Sequence, residues 1–183
     1  MGERERENGG SADAGLRFPD IPLYRGYSAP SRIEADVYDL EIDGAIPAAL
    51  VGTYYRACAD PQYPPLLGTD IFINGDGMIH MLRLGGGGDG RPGDVRPRHA
   101  DLRTRYVRTE KFLAERSARR ALFGAYRNPY TDDPSVDGVN RGTANTSVCW
   151  HGGRLFALKE ADRPMELDPE TLTPSDCATS TGH

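Results

Sequence analysis

The chain has 183 residues, 38% hydrophobic and 27% charged, a length and mixture that suit one globular domain with a core of its own. Its formal net charge of −5 and the lack of a basic stripe argue against a nucleic-acid partner or an anionic membrane surface. Abundant glycine (22) and proline (14) favour short strands joined by turns over long helices.

The opening text MGERERENGGSADAG is charged and has no apolar run, so it reads as neither a signal peptide nor a transmembrane segment. Three cysteines, Cys58, Cys149 and Cys177, form no CxxC pair and are too few for a disulfide framework, which makes a reducing, cytoplasmic setting the default. Residues 1–15 read as a disordered lead-in. Residues 16–47 carry scattered prolines and isolated apolar residues, the pattern of an extended arm laid along a larger body. A turn-like Pro47-Ala48-Ala49-Leu50 leads into the β-rich Val51-Gly52-Thr53-Tyr54-Tyr55-Arg56, followed by a loop at residues 60–65.

Two apolar runs come next, Asp70-Ile71-Phe72-Ile73 and Met78-Ile79-His80-Met81-Leu82-Arg83-Leu84. Asn74-Gly75-Asp76-Gly77 between them has the residue types of a tight hairpin turn, so the two runs are expected to pair. Residues 85–94 (GGGGDGRPGD) read as an exposed flexible loop, and a third strand is expected around residues 105–109. Residues 110–123 are the one plausible helix, with Arg116, Arg119 and Arg120 expected on one of its faces. Residues 126–144 are loop-like. A second hairpin is expected from Thr146 to Trp150 and Arg154 to Lys159 around His151-Gly152-Gly153, then a strand from Met165 to Asp168. Successive hairpins suggest β-propeller blades or a β-sandwich, and composition does not choose between them.

Four histidines, His80, His99, His151 and His183, invite a metal reading, but they lack a shared local spacing. His99 adjoins the glycine-rich loop, His151 sits at a hairpin tip, and His183 is the last residue. His80 alone lies within a strand, where a structural, hydrogen-bonded role is expected. Asn74-Gly75-Asp76-Gly77 lacks both the alternating carboxylates of a calcium loop and the Lys-Ser/Thr of a phosphate loop. Lys159-Glu160 closes an apolar strand, and alternation would send the two side chains to opposite faces.

The most specific text is a linked series: Gly52-Thr53-Tyr54-Tyr55-Arg56, Asn74-Gly75-Asp76-Gly77-Met78-Ile79-His80, Tyr106-Val107-Arg108-Thr109, Asn145-Thr146, Gly153 through Glu160, and Leu167-Asp168-Pro169-Glu170-Thr171-Leu172. In this order it resembles the N-terminal third or so of the carotenoid cleavage oxygenases, the retinal pigment epithelial membrane protein family. Leu122-Phe123-Gly124-Ala125-Tyr126-Arg127-Asn128-Pro129 resembles the lignostilbene dioxygenase branch. The resemblance covers residues 20–173; residues 16–173 are read as the family domain and residues 174–183 as a divergent tail. Ala57-Cys58-Ala59 departs from the family's Asn-Gly-Pro-like turn.

The resemblance implies an all-β fold, the N-terminal blades of a seven-bladed β-propeller, incomplete here, with one short helix and an extended N-terminal arm. It also implies a non-haem Fe(II) dioxygenase that uses O2 to cleave a carbon–carbon double bond of a small-molecule alkene, either a phenolic stilbene or a carotenoid-derived compound. By position, Tyr126 and Lys159 correspond to the tyrosine and lysine that bind the substrate's phenolic hydroxyl. Glu160 corresponds to a glutamate that orients an iron-binding histidine lying outside this chain. After Thr173 no Ala-His-Pro-like text follows and His80 matches a position that is not an iron ligand, so no metal residue is carried over. The chain is therefore expected to stop before the iron ligands, to bind no Fe(II) and to be inactive alone. The rival expectation is a non-catalytic β-rich binding module that keeps the family's N-terminal blades.

Overall fold

A computed structural model describes residues 17–47, 49–85 and 99–175. Among these residues seven strands form two antiparallel sheets: β1 (Ala35–Val37), β2 (Gly52–Ala59), β3 (Gly77–Gly85) and β4 (His99–Tyr106) in the order β1-β4-β3-β2, and β5 (Ser147–His151), β6 (Arg154–Leu158) and β7 (Met165–Leu167) in that order. Among the described residues the one α-helix is α1 (Glu110–Ala118). No helix among them is long and apolar enough to cross a membrane.

The core lies between the sheets. Ile79 and Met81 of β3 pack with Val107, Ala144, Leu155, Ala157, Leu167 and Leu172, and Tyr55 and Ala57 of β2 close its margin. Strand alternation sends Met78 to the other face, where it meets Tyr106 and Phe112. Both faces of β3 are therefore covered at its start, and Met78 and Ile79 are both fully buried. The sheets are also tied by polar contacts: Tyr55 Oη donates to the Pro169 carbonyl (2.8 Å), and Arg83 pairs with Glu170.

Several expectations hold. The β5–β6 hairpin forms, and Gly152 and Gly153 take the left-handed φ values of 58° and 78° that its two-residue turn needs. The arm contains two 3-10 turns, Pro22–Tyr24 and Gly26–Ser28, then β1 as an edge strand against β4. Asp60 anchors it, accepting hydrogen bonds from the Ser31 and Arg32 amides.

The expected hairpin at Asn74-Gly75-Asp76-Gly77 does not form. Residues 72–74 are a 3-10 turn, and β3 pairs with β2, from Ala59↔Gly77 to Gly52↔Leu84. The two glycines serve close approach instead of positive φ. A Cβ on Gly75 would press on Pro61, and one on Gly77 would overlap the carbonyls of Thr143 and Ala144. The third strand also begins earlier than expected, at His99, and ends at Tyr106, although the next amide, that of Val107, still donates to the Gly77 carbonyl (2.7 Å).

The helix is shorter than residues 110–123. Thr109 caps its start, its hydroxyl accepting from the Phe112 amide (3.1 Å), and Arg119 ends it in a left-handed conformation (φ 57°). The chain then folds back, and the amides of Leu122 and Phe123 donate to the Glu115 carboxylate. Arg116, Arg119 and Arg120 thus do not share a helical face: one is in the helix, one caps it, and one lies beyond. The lead-in at residues 1–15, the loop at residues 86–94, and Cys177 and His183 lie outside the described residues.

Candidate functional site

The last residue of β6 is Leu158, and Lys159 follows as the chain leaves the sheet. Its ammonium donates to the Ile73 carbonyl (2.9 Å) and to Asn145 Oδ1 (3.0 Å). Asn145 is itself clamped, since Nδ2 donates to the Ile73 carbonyl (2.9 Å) and the Gly75 carbonyl (2.6 Å). An ammonium has three N–H donors, so one remains after these two bonds.

Tyr126 lies in the loop after the helix. Its ring centroid is 5.6 Å from Lys159 Nζ and 5.3 Å from the guanidinium carbon of Arg127. Tyr126, Arg127 and Lys159 line one cleft of about 180 Å³ with Asn74, Thr143 and Asp162. Thr143 is 2% exposed, and its hydroxyl has no hydrogen-bond partner among the described residues. Burial pushes the Lys159 ammonium below its ordinary range; Glu160 opposes that shift and Arg127 adds to it. The cleft thus offers an aromatic wall, a lysine held by two acceptors, and a second cation close by. That set suits an oxygen anion on a planar ring.

Glu160 takes a different direction. It is exposed, and its carboxylate accepts from the Thr146 hydroxyl (3.3 Å). A hydrogen bond from its own backbone amide is the largest influence holding its carboxyl below the usual range. The structure therefore brings Tyr126 and Lys159 together and leaves Glu160 outside the lining of their cleft. Asn145 and Thr143 are the residues that reasoning from sequence did not assign to this site. A single Asn in loop text carries no signal of which carbonyls it will cap.

The three described histidines do not converge. His80, on β3 between Arg56 and Thr104 in the paired register, is half-buried, and burial together with Arg56 lowers its affinity for a proton. His99 begins β4 beside Asp101 (3.7 Å), and His151 is exposed at the end of β5. No group of three or more His, Cys, Asp or Glu side chains among the described residues could hold a metal ion. These residues do not fit a four-histidine iron centre.

The family model for the retinal pigment epithelial membrane protein matches residues 28–182. The chain belongs to this family. It is 48% identical over 155 residues to lignostilbene-alpha,beta-dioxygenase isozyme III of Sphingomonas paucimobilis, covering 85% of this chain and 29% of that protein. Isoeugenol monooxygenase of Pseudomonas nitroreducens is 47% identical over 151 residues, covering 82% of this chain and 29% of its own length. The crystal structure of the lignostilbene dioxygenase of Pseudomonas brassicacearum superposes with a TM-score of 0.76 at 47% identity, over 86% of this chain and 30% of that one. The two sheets accordingly correspond to part of the β-propeller of these family members. The chain spans less than a third of the length of the curated relatives it matches.

Proposed function

We propose that this chain supplies the phenol-binding side of a family oxygenase that cleaves a carbon–carbon double bond with O2, one oxygen atom going to each new carbonyl. The observation that carries this reading is the Lys159–Tyr126 pair, a fixed ammonium 5.6 Å from a tyrosine ring in one cleft. The relatives' names add chemical support. Lignostilbene and isoeugenol both carry a phenol conjugated to an alkene. Lys159 would donate its remaining N–H to the phenolic oxygen and stabilise the phenolate, and the Tyr126 hydroxyl would share that oxygen's proton. A phenolate pushes electron density along the ring into the conjugated double bond, where O2 reacts. In the family Fe(II) would supply the oxygen-activating chemistry, and Glu160 would orient an iron-binding histidine that lies outside this chain.

The test is a spectroscopic titration of the chain with a trans-4-hydroxystilbene. Binding should lower the pH at which the ligand's phenolate band appears, and Lys159→Met should abolish that shift and weaken binding about tenfold, or ~1.4 kcal/mol. Binding that Lys159→Met and Tyr126→Phe leave unchanged would sink the assignment. A second reading, a binding module without catalysis, is favoured by the buried core between the two sheets. Thermal unfolding in a chelator separates the two: a sharp transition with stilbene binding retained speaks for the module, and a broad or absent one for a part of a larger oxygenase.

A further inference from the structure

Away from the Lys159 cleft, a pocket of about 350 Å³ is lined by Arg32, Gln62, Tyr63, Tyr106, Arg116 and Arg119. Three arginines line it, and no acidic residue does. Elsewhere in this acidic chain arginines are commonly tied to carboxylates: Arg103 and Arg105 to Asp36, Arg108 to Glu34, Arg120 to Asp133, Arg141 to Asp132. None of the three pocket arginines has an ion-pair partner among the described residues.

Their placement is held by other contacts. Arg116 stacks over Phe112 (4.7 Å) and Tyr106 (5.9 Å), and its Nε donates to Gln62 Oε1 (3.0 Å). Gln62 is fixed in turn by donating from Nε2 to the Phe112 carbonyl (2.9 Å), so the terminal nitrogens of Arg116 stay unused. Arg32, left-handed at φ 56°, has its guanidinium 6.0 Å from the Tyr63 ring and 5.8 Å from Phe18. Arg119 is fixed at its backbone as the cap of α1. Asp60 adjoins the Tyr106 wall, with its oxygens taken by the Ser31 and Arg32 amides, the Ser31 hydroxyl and the Tyr106 hydroxyl. Even with Asp60 counted, three positive charges face one negative.

We propose that this pocket binds a multiply charged phosphate anion, with the three arginines as its ligands. Planar guanidinium forks match the oxygen pairs of a phosphate and stay charged at any working pH. The pocket is far larger than one tetrahedral oxyanion fills, which favours two linked phosphates over one. This site is independent of the phenol cleft, so neither reading depends on the other.

Isothermal titration of the 183-residue chain with pyrophosphate, orthophosphate and sulfate at low ionic strength tests it, because screening weakens contacts between exposed charges. The expected result is one-to-one binding, with pyrophosphate about tenfold tighter than the other two. Arg116→Gln and Arg119→Gln should each weaken pyrophosphate about tenfold, while Arg163→Gln, an equal charge change on another surface, should not. All three side chains are exposed, and circular dichroism would verify that the variants fold. Absence of pyrophosphate binding, sulfate binding as tightly, or equal weakening by all three variants would overturn the proposal.

Discussion

Lys111→Met is the sharpest probe of how this fold is held. Lys111 Nζ lies 3.0 Å from Asp76 Oδ1 and 2.8 Å from Glu115 Oε2, and the three side chains are 7%, 2% and 3% exposed. Burial alone would lower the lysine's proton affinity, but Asp76 and Glu115 outweigh it and hold the ammonium above its ordinary range. Methionine keeps the apolar stem and removes the charge the two carboxylates share. Leaving them buried and unpaired should cost ~3–5 kcal/mol, a large part of a total stability on the order of 5–15 kcal/mol.

The pH dependence has a definite sign. Burial raises the Glu115 carboxyl above its usual range, Lys111 opposes the shift and Asp76 adds to it. A carboxyl raised in the folded state favours folding when protonated, so its penalty is full above the folded value and eases as pH falls through it. Without Lys111 that rise grows, and the variant should lose less stability at pH 5 than at pH 8. Urea unfolding followed by circular dichroism at both pH values measures this. A loss below about 1 kcal/mol at pH 8, or one that does not shrink on acidification, would refute the reasoning; adding Glu115→Gln should recover part of the loss.

Asn145→Ala removes the cap on the Ile73 and Gly75 carbonyls and one acceptor of Lys159, so a stability loss of roughly 2–3 kcal/mol is expected. It should be accompanied by weaker 4-hydroxystilbene binding, read in the same titration as the Lys159 variant. Gly77→Ala forces a methyl group against two main-chain carbonyls that have no room to yield; a cost of at least about 2 kcal/mol should show in thermal unfolding. Thr109→Ala should cost ~1 kcal/mol through the lost helix cap, with Thr109→Ser recovering most of it in urea melts.

Strands were legible where local pattern and local pairing coincide. The β5–β6 hairpin joins sequence neighbours through Gly152-Gly153, and that text states its own turn. Asn74-Gly75-Asp76-Gly77 has equally good turn chemistry, yet its residues answer to distant partners: Asn145, Lys111 and the carbonyls at 143 and 144. Nothing within a short window reveals those. The helix end was missed for a related reason. Leu122 and Phe123 continue an apolar pattern, but their amides are taken by the Glu115 carboxylate, which turns the chain back. Tyr126 and Lys159 were legible as a pair only through family resemblance, since they are separated by a loop and a hairpin in sequence. The three-arginine pocket was not legible at all, because Arg32 reaches it from the arm.

The anchor of Lys159 has a consequence for how this chain tolerates change. One of its two acceptors is the main-chain carbonyl at position 73, whose side chain is exposed. A backbone oxygen is present whatever amino acid stands there. Substitutions at 73 are therefore free to change the surface beside the cleft while the lysine keeps this acceptor, so the neighbourhood can vary without displacing the ammonium.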